Sequence, residues 1–144
     1  MNPNSPLNQP STTFEHQRVI TGTNAQKKML KGAKLLADAV KSTMGPSGHS
    51  VILDTQVGPP IITKDGITVA KSIHLKDRLE SLGAEILKEV AGKSNDQAGD
   101  GSTTATVLGY TMLEQGIKMT SSGFNSIEVK QGMDHACDAV VGFL

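Results

Sequence analysis

The sequence predicts a mainly α-helical fold with small β elements. Three observations carry that expectation. Apolar residues recur at helical spacing in several long stretches that take up most of the chain. Those stretches are separated by short breaks rich in Gly and Pro, such as GPSG, VGPP and AGDG. Runs rich in β-branched residues are brief, RVIT and SVILD being the clearest, so no large sheet is expected.

The elements follow in order. Residues 1–17 open with MNPNSPLNQPSTT, which is polar and proline-bearing and reads as a disordered tail. RVIT (Arg18 to Thr21) reads as a short strand. Asn24 is placed to cap a helix whose apolar face is Met29, Ala33, Leu36, Val40 and Met44, with Lys27, Lys28, Lys31, Lys34 and Lys41 largely off it. GPSG ends that helix, and SVILD (Ser50 to Asp54) reads as a strand. Lys64-Asp65-Gly66 then turns into a short helix or an extended segment. A helix is expected from about Leu79 to Lys93, with Leu82, Gly83, Ile86, Leu87, Val90 and Ala91 inward. Another is expected from about Ser102 to Ser121; it is apolar on most sides and should be deeply buried. Asn125 and Glu128 have capping-box spacing for a last helix with Met133, Ala136, Cys137, Val140, Val141 and Leu144 on one stripe. That stripe reaches the final residue without a cap, as expected of a longer natural chain.

Composition excludes several classes. The chain has 144 residues, one ordinary domain's length, and a formal net charge of zero, so no basic field points to nucleic acid. Three Phe, one Tyr and no Trp leave little to stack bases on. No apolar run approaches the roughly 20 residues that span a bilayer, so no membrane role is expected. A single cysteine rules out an intrachain disulfide framework and fits a reducing compartment. The N-terminus lacks the basic and apolar regions of a signal peptide.

Two motifs mislead. Gly92-Lys93-Ser94 resembles the end of a phosphate-binding P-loop, but that pattern needs a glycine at position 87, which is Leu87. His135-Ala136-Cys137 has no second Cys or His pair at ligand spacing, and Cys137 on an apolar stripe reads as a core thiol. Asp134 and Asp138 read as a solvated face.

AGDGSTTATVL (Ala98 to Leu108) carries more chemistry. Asp100 stands before an apolar run as a helix N-cap, and Ser102, Thr103 and Thr104 fall in the first turn. Unpaired N–H groups and a positive dipole suit an anion there, and Gly99 and Gly101 permit close approach. A carboxylate beside a phosphate requires a cation between them, which points to phosphate plus magnesium. On its own the stretch reads better as an ordinary capped helix. It is not alone: Thr43-Met44-Gly45-Pro46 and Lys64-Asp65-Gly66 are two further turns of similar character, in fixed order with helices between.

STMGPSGHSVILD, ITKDGITVAKSI and NDQAGDGSTTATVL together resemble the nucleotide-binding segments of the group I chaperonins, the bacterial and organellar ring ATPases that fold proteins. The likeness runs from about Val19 to Leu144. It implies that residues 18–144 are the N-terminal segment of the equatorial ATP-binding domain, incomplete here. The apical and intermediate domains would be absent from this chain. It implies ATP, Mg2+ and K+ as cofactors. Thr43, Met44, Gly45 and Pro46 match a loop whose backbone contacts phosphates, and the Thr43 and Lys64 carbonyls match monovalent-cation ligands. Asp100 matches the magnesium ligand, and Gly101, Ser102, Thr103 and Thr104 match the phosphate loop. Asp65 matches a catalytic aspartate that positions or deprotonates water, and Lys64 and Gly66 on either side of it match cofactor-binding positions. Such chemistry fits phosphoryl transfer.

The resemblance also implies identical subunits in a ring, unfolded clients bound through regions outside this chain, a co-chaperonin lid, and a cytoplasmic setting, in a bacterial-type cytosol or an organelle matrix. Ser102 stands where the family usually has Thr, and Ser47 and His49 where many relatives carry basic residues. Two functions stay open: the ATP-binding and hydrolysing segment of a protein-folding chaperone, or a chaperonin-like interaction protein that docks on intact subunits without turning over ATP.

Overall fold

A computed structural model describes residues 22–55 and 58–144. The expected tail and the RVIT strand lie outside the described residues. The elements are α1 (Thr23–Lys41), β1 (Val51–Leu53), β2 (Ile61–Thr63), α2 (Gly66–Ser72), α3 (Arg78–Ala98), α4 (Ser102–Ser121) and α5 (Ser126–Phe143). The fold is mainly helical, as the periodicity predicts.

Why α1 and α3 pair is written in two glycines. Gly32 lies flat on the Glu80 backbone and Gly83 on the Met29 backbone, so a Cβ at either would overlap a main-chain carbonyl. Glycine removes the side chain that ordinarily holds helix axes apart. Lys28 to Asp77 and Lys31 to Glu80, each 2.6 Å, flank the crossing. These are largely exposed pairs and orient the helices more than they stabilise them.

The core follows from this crossing. Ala33, Leu36, Ala37 and Val40 of α1 meet Ala84 and Leu87 of α3, and Val69 and Ala70 of α2 close the third side. Leu36 and Val40 are fully buried. Alanines dominate because closely approached helices leave little room. Helix α4 lies across α1 and α3, and α5 packs on α4. β1 and β2 form an antiparallel pair with Val51 opposite Thr63, Ile52 opposite Ile62 and Leu53 opposite Ile61.

Several expectations are corrected. Asn24 does not cap α1; Gly22 does, at φ 106° and with no side-chain bond, so Asn24 sits inside the first turn. Met44 leaves the helix and joins the loop beyond it. α3 continues past Lys93 to Ala98, because Ser94, Asn95 and Asp96 tolerate helix and the first true stop is Gly99 in the left-handed region. β2 was not expected; it exists because Ile61–Thr63 finds a partner in β1. α4 is not deeply buried: only Ser102 and Thr106 are, while Leu108, Met112 and Met119 are exposed. Its neighbours α1, α2, α3 and α5 cover it only in part, and an open groove of about 590 Å³ is lined by α3, α4 and α5. Cys137 is likewise exposed rather than a core thiol, since no residue of α5 is buried among the described residues and its later stripe, Val140 and Val141 included, is exposed.

The crossing makes a specific prediction. Gly83→Ala should destabilise the fold by about 1–3 kcal/mol through overpacking against the Met29 carbonyl. Gly92→Ala, in the same helix with open space around it, should be neutral or stabilising by up to about 1 kcal/mol. Chemical denaturation of both variants checks this; equal effects would contradict the backbone contact.

Candidate functional site

The first loop begins where α1 runs out. Thr43 N–H donates to the Val40 carbonyl at 3.1 Å and Met44 N–H to that of Lys41 at 3.1 Å. Gly45 then turns at φ 72°, a conformation that favours glycine. Gly48 N–H returns to Gly45 at 3.0 Å, and His49 N–H closes the loop onto Ser42 at 2.9 Å. Thr43 is buried and its hydroxyl donates to the Val40 carbonyl at 2.8 Å. Met44, Gly45 and Pro46 are exposed on the closed loop. Gly48 lies flat against the Thr43 carbonyl, where a Cβ would not fit.

The second turn is organised by Asp65. Its N–H donates to Thr63 Oγ1 at 3.0 Å. Its carboxylate caps α2, accepting from Ile67 N–H at 3.3 Å, Thr68 N–H at 3.1 Å and Thr68 Oγ1 at 2.5 Å. The Thr68 hydroxyl does most to hold the Asp65 carboxyl below its ordinary value; burial opposes it, and the Thr68 and Ile67 amides and the Lys71 charge add to the lowering. It therefore stays ionised and is a weak base. Lys64 beside it is exposed.

The third loop links α3 to α4. Gly99 and Gly101 are both left-handed, at φ 71° and 78°. Asp100 is not the N-cap of α4, as expected from sequence; Gly101 is, with no side-chain cap bond. The left-handed Gly101 turns Asp100 away from the helix, and Asp100 Oδ1 accepts instead from Gly101 N–H at 2.7 Å. The first-turn amides of α4 are thus left without a capping side chain, unlike those of α2, α3 and α5, which Asp65, Asp77 and Asn125 cap. Ser102 is buried and its carbonyl accepts from Thr106 Oγ1 at 2.7 Å. Thr104 is exposed.

Gly66 is where these segments meet. A Cβ there would overlap Thr103 Oγ1 and press on Val40 Cγ1 at 3.2 Å. Val40 is in the last turn of α1, so the end of the helix that leads into the first loop, the Asp65 turn and the start of α4 share one junction. Val40 and Thr103, 63 positions apart in the chain, meet there because Gly66 has no side chain. Among the described residues no cluster of three or more His, Cys, Asp or Glu could hold a metal. A single exposed Asp100 with one carboxylate oxygen uncommitted fits magnesium nonetheless, because that ion keeps waters and takes substrate phosphates as its other ligands.

Sequence reading missed two contributors. Thr68, three residues after Asp65, has the spacing of a first-turn partner and was legible on that ground. Ser94, whose Oγ donates to the Asp100 carbonyl at 3.1 Å, carried no such signal.

Comparison with known proteins agrees with the motifs. The sequence profile of the TCP-1/cpn60 chaperonin family matches residues 36–144. Among solved structures, the chaperonin gp146 from the bacteriophage EL 2 (Pseudomonas aeruginosa), determined in the presence of ATP-BeFx, is 37% identical with a TM-score of 0.60 over 67% of this chain. The chain spans 17% of the length of that protein.

The cap at Asp65 is testable by pH. Its folded pKa lies below the ordinary 3.8, so the ionised form stabilises the fold above that pH. The contribution is lost as pH falls through the lowered value. Asp65→Asn keeps an acceptor for the cap and loses the titration. Melting curves from about pH 5 to about pH 2 should show wild type losing its advantage over Asp65→Asn toward acid; parallel profiles would contradict the shift. Asp65→Ala should cost about 0.5–2 kcal/mol at neutral pH through loss of the cap.

Proposed function

We propose, from the premise that the chain belongs to the TCP-1/cpn60 chaperonin family, that it is the N-terminal part of an equatorial ATP-binding domain in a protein-folding chaperone of the group I type. The observation that carries this reading is the junction at Gly66, where Val40 and Thr103 touch the residue after Asp65. Three turns that are separate in sequence become one surface.

The roles follow from chemistry at that surface. The uncapped first-turn amides of α4, from Ser102 to Thr104, donate to phosphate oxygens beside Gly101, where the helix dipole favours negative charge. The exposed backbone of Met44, Gly45 and Pro46 lies along the same nucleotide. Asp100 offers its uncommitted oxygen to magnesium, which when bound neutralises charge on the transferring phosphoryl group. The Thr43 and Lys64 carbonyls, which accept no hydrogen bond among the described residues, suit a monovalent cation such as K+. Asp65, with its lowered pKa, orients the attacking water better than it deprotonates it.

The apolar sides of α4 and α5 support a larger assembly. Leu108, Met112, Val140 and Val141 are exposed, and each large apolar side chain left wet forgoes about 1.5–3 kcal/mol. Identical subunits in a ring, and clients bound through regions outside this chain, belong to the same reading.

Two variants separate the carboxylates. Because Asp65 also caps α2, the informative change is Asp65→Asn rather than alanine. It should slow ATP hydrolysis about 10²–10⁴-fold in the assembled protein while leaving nucleotide binding intact. Asp100→Ala should instead weaken magnesium-dependent nucleotide binding itself. Hydrolysis at the wild-type rate by Asp65→Asn would remove Asp65 from the mechanism.

A further inference from the structure

The Gly92-Lys93-Ser94 triplet fails as a phosphate loop, yet its hydroxyl has a place at the candidate site. Asp100 is flanked by Gly99 and Gly101, both left-handed. Glycine restricts its own backbone least, so the chain's stereochemistry alone does not hold the segment between them. Its ends are tied by backbone bonds: Gly99 N–H to Asn95 at 2.8 Å, and Ala105 N–H to Gly101 at 2.8 Å. The Asp100 carboxylate bonds to the next amide, which is internal to the loop and anchors it to nothing else.

Among the described residues, the one side chain that ties the middle of this loop to the scaffold is Ser94. Its Oγ donates to the Asp100 carbonyl at 3.1 Å. The same oxygen lies 3.6 Å from where a Cβ of Gly101 would stand, so it packs along the loop as well as bonding to it.

Peptide geometry extends the effect. The Asp100 carbonyl and the Gly101 N–H belong to one planar unit, so holding the oxygen sets the direction of the N–H. That N–H donates to Asp100 Oδ1 at 2.7 Å. Fixing the plane therefore also fixes the carboxylate rotamer and decides which way Oδ2 faces. Ser94 itself stands on α3, the helix seated against α1 through Gly83.

We propose that Ser94 is a positioning residue, whose hydroxyl orients the Asp100–Gly101 peptide so that the Asp100 carboxylate and the α4 amides face a magnesium–nucleotide together. The inference rests on the functional reading above for its ligand, but not for its effect on the loop.

The test uses Ser94→Ala and Ser94→Thr in the assembled protein, with two readouts. Hydrogen exchange over residues 99–104 reads the loop directly, without ligand. Titration with Mg2+–ATP, compared with Asp100→Ala, reads the consequence. Ser94→Ala should speed exchange at Gly101 and weaken Mg2+–ATP binding by about fivefold each, the loss of roughly one hydrogen bond. Its melting temperature should stay level or rise slightly, because alanine is the better helix former. Ser94→Thr should restore both readouts. Wild-type exchange in Ser94→Ala would overturn the proposal whatever happens to binding. A lowered melting temperature with faster exchange throughout α3 would make Ser94 a structural residue and overturn it too. If exchange at the loop responds but Asp100→Ala binds Mg2+–ATP as tightly as wild type, the loop anchor stands. The functional reading, and the proposed effect on the nucleotide, then fail.

Discussion

Helices α1 and α3 touch backbone to backbone, Gly32 on Glu80 and Gly83 on Met29. That distance sets much of what lies around it. It explains why the core is made of Ala33, Ala37, Ala84 and a few larger residues such as Leu36 and Leu87. It lets the short α2 contact α1, α3 and α4 at once. A thicker crossing would move the end of α1 away from the start of α4, and Gly66 would no longer touch both Val40 and Thr103. The candidate site is thus a consequence of helix packing, with loops held by elements that meet at small residues.

The loops divide the labour between rigidity and availability. Asp65 is heavily hydrogen-bonded and its carboxyl is held ionised, so its position is well defined and its basicity low. Asp100 stands between two left-handed glycines and commits one oxygen to its neighbour's amide. The amides at the start of α4, like those at the start of α1, have no side-chain cap. Two aspartates in similar Asp-Gly contexts therefore serve different ends: one closes a helix terminus, and the other leaves a helix terminus open.

Much of this was legible in the residues. The stripe on α1 through Ala33, Leu36 and Val40 is the observed core face. The Asp65 turn, the Asn125 cap and the glycine break at Gly99 fall where turn chemistry places them. The rest depends on contacts between distant positions. Nothing near Ile61 announces a strand until β1 is beside it. The exposure of Leu108 and Cys137 reflects which neighbours a helix has, which periodicity does not encode. The displacement of Asp100 from the cap of α4 turns on the left-handed Gly101, and an Asp before an apolar run reads as a cap in either case. The motifs named the candidate residues, but the contact of Gly66 with Val40 and Thr103 needed the fold.

The convergence of three loops on one nucleotide is most directly tested by a crystal structure of the assembled protein with Mg2+ and a non-hydrolysable ATP analogue. The account predicts phosphates on the first-turn amides of α4, magnesium on Asp100, and the Met44–Pro46 backbone and Asp65 carboxylate facing the same ligand. A nucleotide bound elsewhere, with the start of α4 free at saturating ligand, would contradict it.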